Sequence, residues 1–543
     1  MKCTVRAGKC TVRFTLSRGK EKSMIYLYQN DNEYDYDVRA ISLAFFEREK
    51  IVSVTESEFI RLSSEGQGEE NVRFLSLIYE DKKITGRLFE QKGSKAERDV
   101  FCDYRDHEQC RNEVCRFLYR LFSDFTGRTL PWGMLTGIRP TKIVMKWMEE
   151  LEAAENGEAE QKRHTGQALK TADGDRAGKM PETVRVSLEK RFSDTYLTDG
   201  QKARLCVQVA EREKAFLDAH PYEEEYSLYI GIPFCPTTCL YCSFASFPVS
   251  KFGDRMEGYM KALGKELAYV SQACAHKKLT SVYVGGGTPT ALTEDCLKLL
   301  MEQIHRFFPV EEAREFTVEA GRPDSVTAGK LRTLYDAGVG RISINPQTMH
   351  DETLRLIGRN HTVEQVKEAY RLAREIGFDN INMDMITGLP GEDISHVKET
   401  LETIFRMKPE SLTVHSLAIK RAAHLNIEME RYQSLVKGST NEMLRAVDEY
   451  CGRMGMVPYY MYRQKNIPGN LENIGYSLPG KECLYNILIM EEKQDIISCG
   501  AGASTKYVFP ENNRIERTEN VKNIEHYVNR IDEMIERKRK YLG

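Results

Sequence analysis

The chain has 543 residues, 41% hydrophobic and 29% charged, with 78 Lys and Arg against 81 Asp and Glu. That balance describes a globular protein of roughly two to four domains, and a net charge of −3 gives no electrostatic case for nucleic acid as the expected partner. No apolar run approaches the roughly eighteen residues of a membrane span, and 14 cysteines with no signal-like segment point to a reducing cytoplasm.

In chain order, β-like runs occupy Cys10–Leu16, Met24–Tyr28 and Val72–Tyr79, separated by polar turns. An amphipathic helix is predicted over Glu108–Phe125, with Cys115, Leu118, Leu121 and Phe122 on one face. From Glu149 to Ala177 the sequence is charged and nearly free of large apolar residues, which reads as a linker or insertion. No internal repeat is visible. These shifts set expected domains at 1–148 (N-terminal, β-rich α+β), 149–221 (polar linker and helical connector), 222–420 (barrel) and 421–543 (a C-terminal α+β extension covering the substrate).

Strand and helix patterns then alternate. Strands are predicted at Ser227–Ile232, Ser281–Val284, Glu315–Glu319, Arg341–Ile344, Asn380–Ile386 and Ser411–Ser416. Helices include Gly253–Ala273, Thr293–Phe308, Val363–Ile376 and Ser395–Met407. Successive βα units imply a parallel sheet with right-handed crossovers, either a partial TIM-type barrel or an open doubly wound sheet. Both place reactive groups at the strands' C-terminal ends. The sequence agrees: a cysteine loop follows the first strand, Gly285–Gly287 the second, and Glu319 ends the third. Gln347 lies just past the fourth, Asp384 in the fifth and Ala418 just past the sixth.

Cys235, Cys239 and Cys242 form a Cys-x3-Cys-x2-Cys run. Three thiolates on one loop can hold three irons of a [4Fe-4S] cluster and leave the fourth without a protein ligand. S-adenosylmethionine (SAM) can fill that position through its amino and carboxylate groups. The competing reading is zinc or ordinary cysteines, but zinc wants a second ligand pair and Cys274 stands alone. The glycine run admits close backbone approach to the SAM amine, or serves simply as a turn closed by Pro289. Glu319 lies in an apolar strand where a carboxylate needs a partner. A ribose, an ammonium group or a salt bridge to Arg322 would serve, and Asp384 poses the same question.

The motifs Tyr229-Ile-Gly-Ile-Pro-Phe-Cys235, Val284-Gly-Gly-Gly-Thr-Pro-Thr290, Val318-Glu319, Arg341-Ile-Ser-Ile-Asn-Pro-Gln347 and Met385-Ile-Thr-Gly-Leu-Pro390 resemble the radical SAM coproporphyrinogen III oxidases of the oxygen-independent HemN type. Leu130–Lys142 and Gly469–Asn473 are similar to the HemZ branch. The resemblance implies an α/β fold, a partial (β/α)6 TIM-type radical SAM barrel. Cys235, Cys239 and Cys242 would ligate the cluster. Tyr229, Gly286 and Glu319 would contact its SAM, and Tyr241, Gly287, Thr288, Gln347, Arg359, Asp384 and Ala418 would surround a second SAM. For Arg359 a solvated loop position is the alternative.

The implied reaction is the oxidative decarboxylation of porphyrinogen propionates to vinyls by a 5′-deoxyadenosyl radical, with no side chain as general base. The expected partners are coproporphyrinogen III and an electron donor such as flavodoxin or ferredoxin, and the expected state is a monomer. Three departures bear on the substrate. Gly231 replaces a His and Phe244 a Cys of the HemN type, while Cys242-Ser-Phe244 resembles the haem-chaperone (HemW) branch. Tyr485-Asn486 stands where that branch has His-Asn, with Cys483 and Cys499 as nearby thiols. A haem carrier, or a radical SAM enzyme acting on RNA through its N-terminal region, are the alternatives.

Overall fold

The computed structural model describes residues 23–46, 49–65, 72–90, 95–101, 107–137, 139–164, 180–219, 222, 224–418, 425, 432, 435, 438–464, 468–512 and 514–543. Two compact units divide it, Met1–Thr129 and Leu130–Gly543. The expected strand Cys10–Leu16 lies outside the described residues.

In the first unit, strands β1 (Met24–Gln29), β2 (Lys50–Ser53), β3 (Val72–Glu80), β4 (Lys83–Glu90) and β5 (Lys95–Phe101) form one sheet in the order β2-β1-β3-β4-β5. β1 pairs in parallel with β2 and β3, and the remaining pairs are antiparallel. The helix His107–Thr126 buries Leu118, Leu121 and Phe122 as its apolar spacing requires. Gly86 makes room for it, since a Cβ there would stand 2.6 Å from the Phe117 ring.

The second unit is built on an eleven-stranded sheet. Its centre is parallel: β6 (Glu225–Ile232), β9 (Lys278–Gly286), β10 (Glu315–Glu319), β11 (Arg341–Ser343), β12 (Ile381–Thr387) and β13 (Ser411–Ser416) lie side by side in chain order. The short pair β7 (Phe234–Cys235) and β8 (Phe247–Pro248) sits in the cysteine loop. Alternation along each strand sorts the side chains. Leu228, Ile230, Val282, Val284, Phe316, Val318, Ile342, Met383, Met385, Leu412 and Val414 join the large apolar core. The intervening Ser227, Tyr229, Ser281, Tyr283, Thr317, Glu319, Ser343, Asn382, Asp384 and Thr413 occupy the opposite face, which is polar. That pattern is the partial barrel expected.

The C-terminal region does not make a sheet of its own. β14 (Val457–Arg463) and β15 (Glu472–Ser477) extend the edge at β13, antiparallel, while β16 (Asp495–Cys499) adds in parallel to β6 and carries β17 (Ser504–Phe509) and β18 (Arg514–Glu519). Both edges of the barrel sheet are thereby paired. The expected boundary at 148 falls within the helix Thr141–His164, so residues 149–164 are helical and not a linker. Its Ala, Glu, Lys and Gln residues favour helix even where apolar residues are scarce. Residues 165–179 and the expected boundary at 420 lie outside the described residues.

Candidate active site

The cysteine loop leaves β6 at Ile232 and is stitched to the next strand end. Gly287 N donates to Ile232 O at 2.7 Å and Thr288 N to Phe234 O at 2.8 Å, while Thr288 Oγ1 lies 3.5 Å from Cys235 Sγ. A Cβ on Gly287 would meet Phe234 O at 2.7 Å and Cys235 Sγ at 3.0 Å, so only glycine permits this approach. Gly286 has φ +106°, in the left-handed region. The far side of the loop rests on the segment after β11: Leu240 N donates to Ile357 O at 2.9 Å and Thr237 Oγ1 to Gly358 O at 2.8 Å. Cys235 and Cys239 are buried, Cys242 is partly so, and none of the three forms a disulfide. Among the described residues no three His, Cys, Asp or Glu side chains stand close enough together to hold a metal ion, the three cysteines included. Three sheltered thiols on a loop pinned at both ends suit a cluster held by three cysteines.

Glu319, at the end of β10, accepts from Tyr283 Oη at 2.8 Å. Burial pushes its carboxyl up to about 7, against the opposing hydrogen bonds of Tyr283 and of the Gly286 N–H. The salt bridge to Arg322 considered from sequence does not form; Arg322 pairs with Asp324 at 2.8 Å. Tyr229 stacks on Tyr283 and on Tyr485, centroids 6.1 and 6.0 Å apart, and Tyr283 on Tyr485 at 4.4 Å. The helix Leu484–Glu491, which supplies Tyr485, is anchored in the lumen by Glu315, whose carboxylate accepts from Leu484 N at 2.6 Å.

A second group gathers at the ends of β11 and β12. Gln347 has φ +66°, rare for a residue with a side chain, and its backbone bridges β12 through Asp384 O (2.9 Å) and Ile386 N (2.9 Å). Arg359 is 5% exposed, not solvated, and donates to Asn345 O and to Gly321 O. Asp384 accepts from Asn382 Nδ2 at 2.7 Å, and His415 Nε2 lies 4.0 Å from its other oxygen. Buried here without hydrogen-bond partners are Asn345 Oδ1, Gln347 Oε1 and Arg359 Nε; Thr317 Oγ1, in the middle of β10, has none either. Tyr241 packs against the apolar cluster of Leu240, Leu354 and Leu389. Ala418, just past β13, is half-buried against the main core.

Sequence reading did not single out Tyr283, Asn345 or Thr317, or give Tyr485 a role in this site. Tyr283 had a signal: two residues before Gly285 on the same strand, it shares that face. Tyr485 had none, because its place depends on a helix far along the chain.

A parallel barrel sheet with a three-cysteine loop at the end of its first strand defines a radical SAM protein, and the Radical SAM superfamily model matches residues 229–404. The oxygen-independent coproporphyrinogen-III oxidase-like protein HemZ of Bacillus subtilis (strain 168) is 39% identical over 439 residues, 80% of this chain and 81% of that protein. The chain belongs to this family of oxygen-independent coproporphyrinogen-III oxidase-like radical SAM proteins. It is also similar to the heme chaperone HemW of the same organism, 38% identical over 195 residues, 36% of this chain and 51% of that protein. Among solved structures, the coproporphyrinogen III oxidase HemN of Escherichia coli is 22% identical, with a TM-score of 0.46 over 59% of this chain and 73% of that one. Among the described residues no helix is long and apolar enough to cross a membrane.

Proposed function

We propose that the chain is a cytoplasmic, monomeric radical SAM oxidoreductase that converts propionate side chains of coproporphyrinogen III to vinyls, as the names of its relatives suggest. Cys235, Cys239 and Cys242 hold a [4Fe-4S] cluster, and Tyr229, Gly286 and Glu319 bind SAM at its open iron. Cluster and SAM together supply a 5′-deoxyadenosyl radical; this chain's residues bind, orient and exclude water. Gly286 presents backbone to the methionine amine. Glu319, held by Tyr283, accepts from the ribose hydroxyls. Gln347, Arg359 and Asp384, with Tyr241, Gly287, Thr288 and Ala418 around them, receive a second SAM or the substrate's propionates. The electron comes from a donor of the flavodoxin or ferredoxin class.

The observation that supports this reading is the set of partnerless buried atoms on Asn345, Gln347 and Arg359 in the segment that follows β11. Buried polar atoms are normally paired, and left-handed backbone such as that of Gln347 concentrates at functional sites. A haem carrier needs an available ligand. Cys483 is 1% exposed, donates to Glu315, and has its thiol pushed up by burial. Cys499 is wholly buried. The HemW-like Cys242-Ser-Phe244 keeps that second reading in play.

The deciding experiment is anaerobic turnover with SAM, a reductant and coproporphyrinogen III. Vinyl products and 5′-deoxyadenosine are expected. Stoichiometric haem binding with no decarboxylation by the reduced, cluster-replete protein would overturn the proposal in favour of the carrier.

A further inference from the structure

Arg322 lies just beyond β10 and is 2% exposed. A guanidinium has five N–H donors in a fixed plane, and here every one is engaged. Nε donates to Asp324 Oδ1 at 3.0 Å and Nη2 to Asp324 Oδ2 at 2.8 Å, a two-pronged grip that fixes the plane. The second Nη2 proton goes to Thr237 Oγ1 at 3.0 Å. Nη1 donates to Thr237 O at 3.2 Å and to Cys239 Sγ at 3.6 Å. Thr237 is the middle residue of the stretch between Cys235 and Cys239, so one buried cation holds that stretch by its carbonyl and its hydroxyl and aims its last proton at a ligand sulfur.

We propose that Arg322 is a positioning residue for the cluster, whose N–H to Cys239 Sγ and buried positive charge raise the cluster's reduction potential and so ease entry of the electron. This rests on the reading of Cys235, Cys239 and Cys242 as cluster ligands. Reduction adds one electron to the [4Fe-4S]2+ state, with no bond formed and no proton moved, and it adds negative charge next to Arg322. Hydrogen bonds to ligand sulfurs, local charge and solvent exposure are the protein's means of setting such potentials. Burial strengthens the effect, because little water screens the charge. Asp324 opposes it, and so the pair makes a balance that can be moved in both directions.

The test is an EPR-monitored dithionite titration of anaerobically reconstituted wild type, R322Q, R322K and D324N without SAM, with iron and sulfide measured on each. R322Q should hold iron and become harder to reduce by about tenfold, a negative shift of about 59 mV for one electron. R322K keeps the charge and should shift by less than half as much. D324N removes the opposing charge and should shift the other way. A wild-type midpoint in R322Q, or an equal shift in R322K, overturns the proposal. Should R322Q lose its iron, D324N decides, and an unmoved or negative midpoint there overturns it. Wild type that binds no iron would instead overturn the cluster assignment itself.

Discussion

Tyr283 Oη donates to Glu319 Oε1 at 2.8 Å across two adjacent barrel strands. Gly285, two residues after Tyr283, brings backbone so close that a Cβ there would stand 2.7 Å from the same oxygen. The carboxylate is thus oriented by a phenol from one side and confined by bare backbone from the other. Tyr229 and Tyr485 clamp the phenol in turn. In the proposed reading, a group this constrained would meet SAM already oriented.

Glu319→Ala should leave iron content intact and weaken SAM binding roughly tenfold or more, the worth of a hydrogen bond to a charged acceptor. Tyr283→Phe should cost less, while raising the pH at which binding is half-maximal, because the lost hydrogen bond had lowered the Glu319 pKa. Calorimetry with SAM across pH 6 to 8 checks both. Unchanged affinity in Glu319→Ala removes the residue from the SAM site.

The same carboxyl makes the unliganded protein pH-sensitive. Its folded-state pKa is about 7 against an ordinary 4.5, so between those values the folded chain keeps a proton that the unfolded chain has released. Stability therefore falls as pH rises through that window and levels off above it. The loss is on the order of 3 kcal/mol. Glu319→Gln should flatten this part of the profile, and denaturant melts of the two proteins at pH 5 and pH 8 would show the difference. Parallel profiles would mean that the carboxyl is ionised in the folded state throughout.

Replacing Cys235, Cys239 and Cys242 together by Ala should abolish the cluster's visible absorbance and its iron. These thiols form no disulfide and the loop is pinned by backbone hydrogen bonds, so the fold should survive, as circular dichroism would show. Iron retained at wild-type level would sink the assignment.

Alanine at Gln347, Arg359 or Asp384 should remove vinyl-product formation. Gln347→Ala and Asp384→Ala should spare the cluster and SAM binding at the open iron, whereas Arg359 also faces Cys239, so its loss should disturb the cluster as well. These side chains gather at the ends of β11 and β12 and none is a cluster ligand in this reading. Arg359→Ala also uncovers the buried carbonyls of Asn345 and Gly321, so some loss of stability is expected with it. Equal haem affinity and undiminished turnover in all three would assign the group to folding.

Much of this was legible because strand alternation and strand-end chemistry are local. The six parallel strands appear where their apolar alternation placed them, with ends displaced where pairing extends them: β9 runs on through Gly286 because Ile232 pairs with it. The cysteine loop and Glu319 follow from that register. What was not legible depends on long-range contact. Arg322 is the nearest cation in sequence to Glu319, three residues away, but Asp324 offers two oxygens in the plane of the guanidinium and Thr237 comes from another strand's loop. Tyr485 reaches the lumen only because Glu315 caps its helix. The addition of β14–β15 and β16–β18 to opposite edges of one sheet could not be read from a region that looked like a separate domain.

Gly287→Ala is the sharpest test of the glycine run as a cluster cradle. The new methyl would stand 2.7 Å from Phe234 O, 2.9 Å from Ile232 O and 3.0 Å from Cys235 Sγ. Two of these are backbone atoms that cannot swing aside, so the cysteine loop itself must move, and the Gly287 N–H to Ile232 O bond must lengthen with it. Strain of that kind costs about 1–3 kcal/mol, too little to unfold a barrel of this size but enough to misplace one ligand. The variant should fold, take up iron at a reduced level after reconstitution, and lose it faster to a chelator than wild type. If it instead binds iron normally and only SAM affinity falls, the glycine serves the SAM and not the loop. If both are unchanged, the run is a turn and no more.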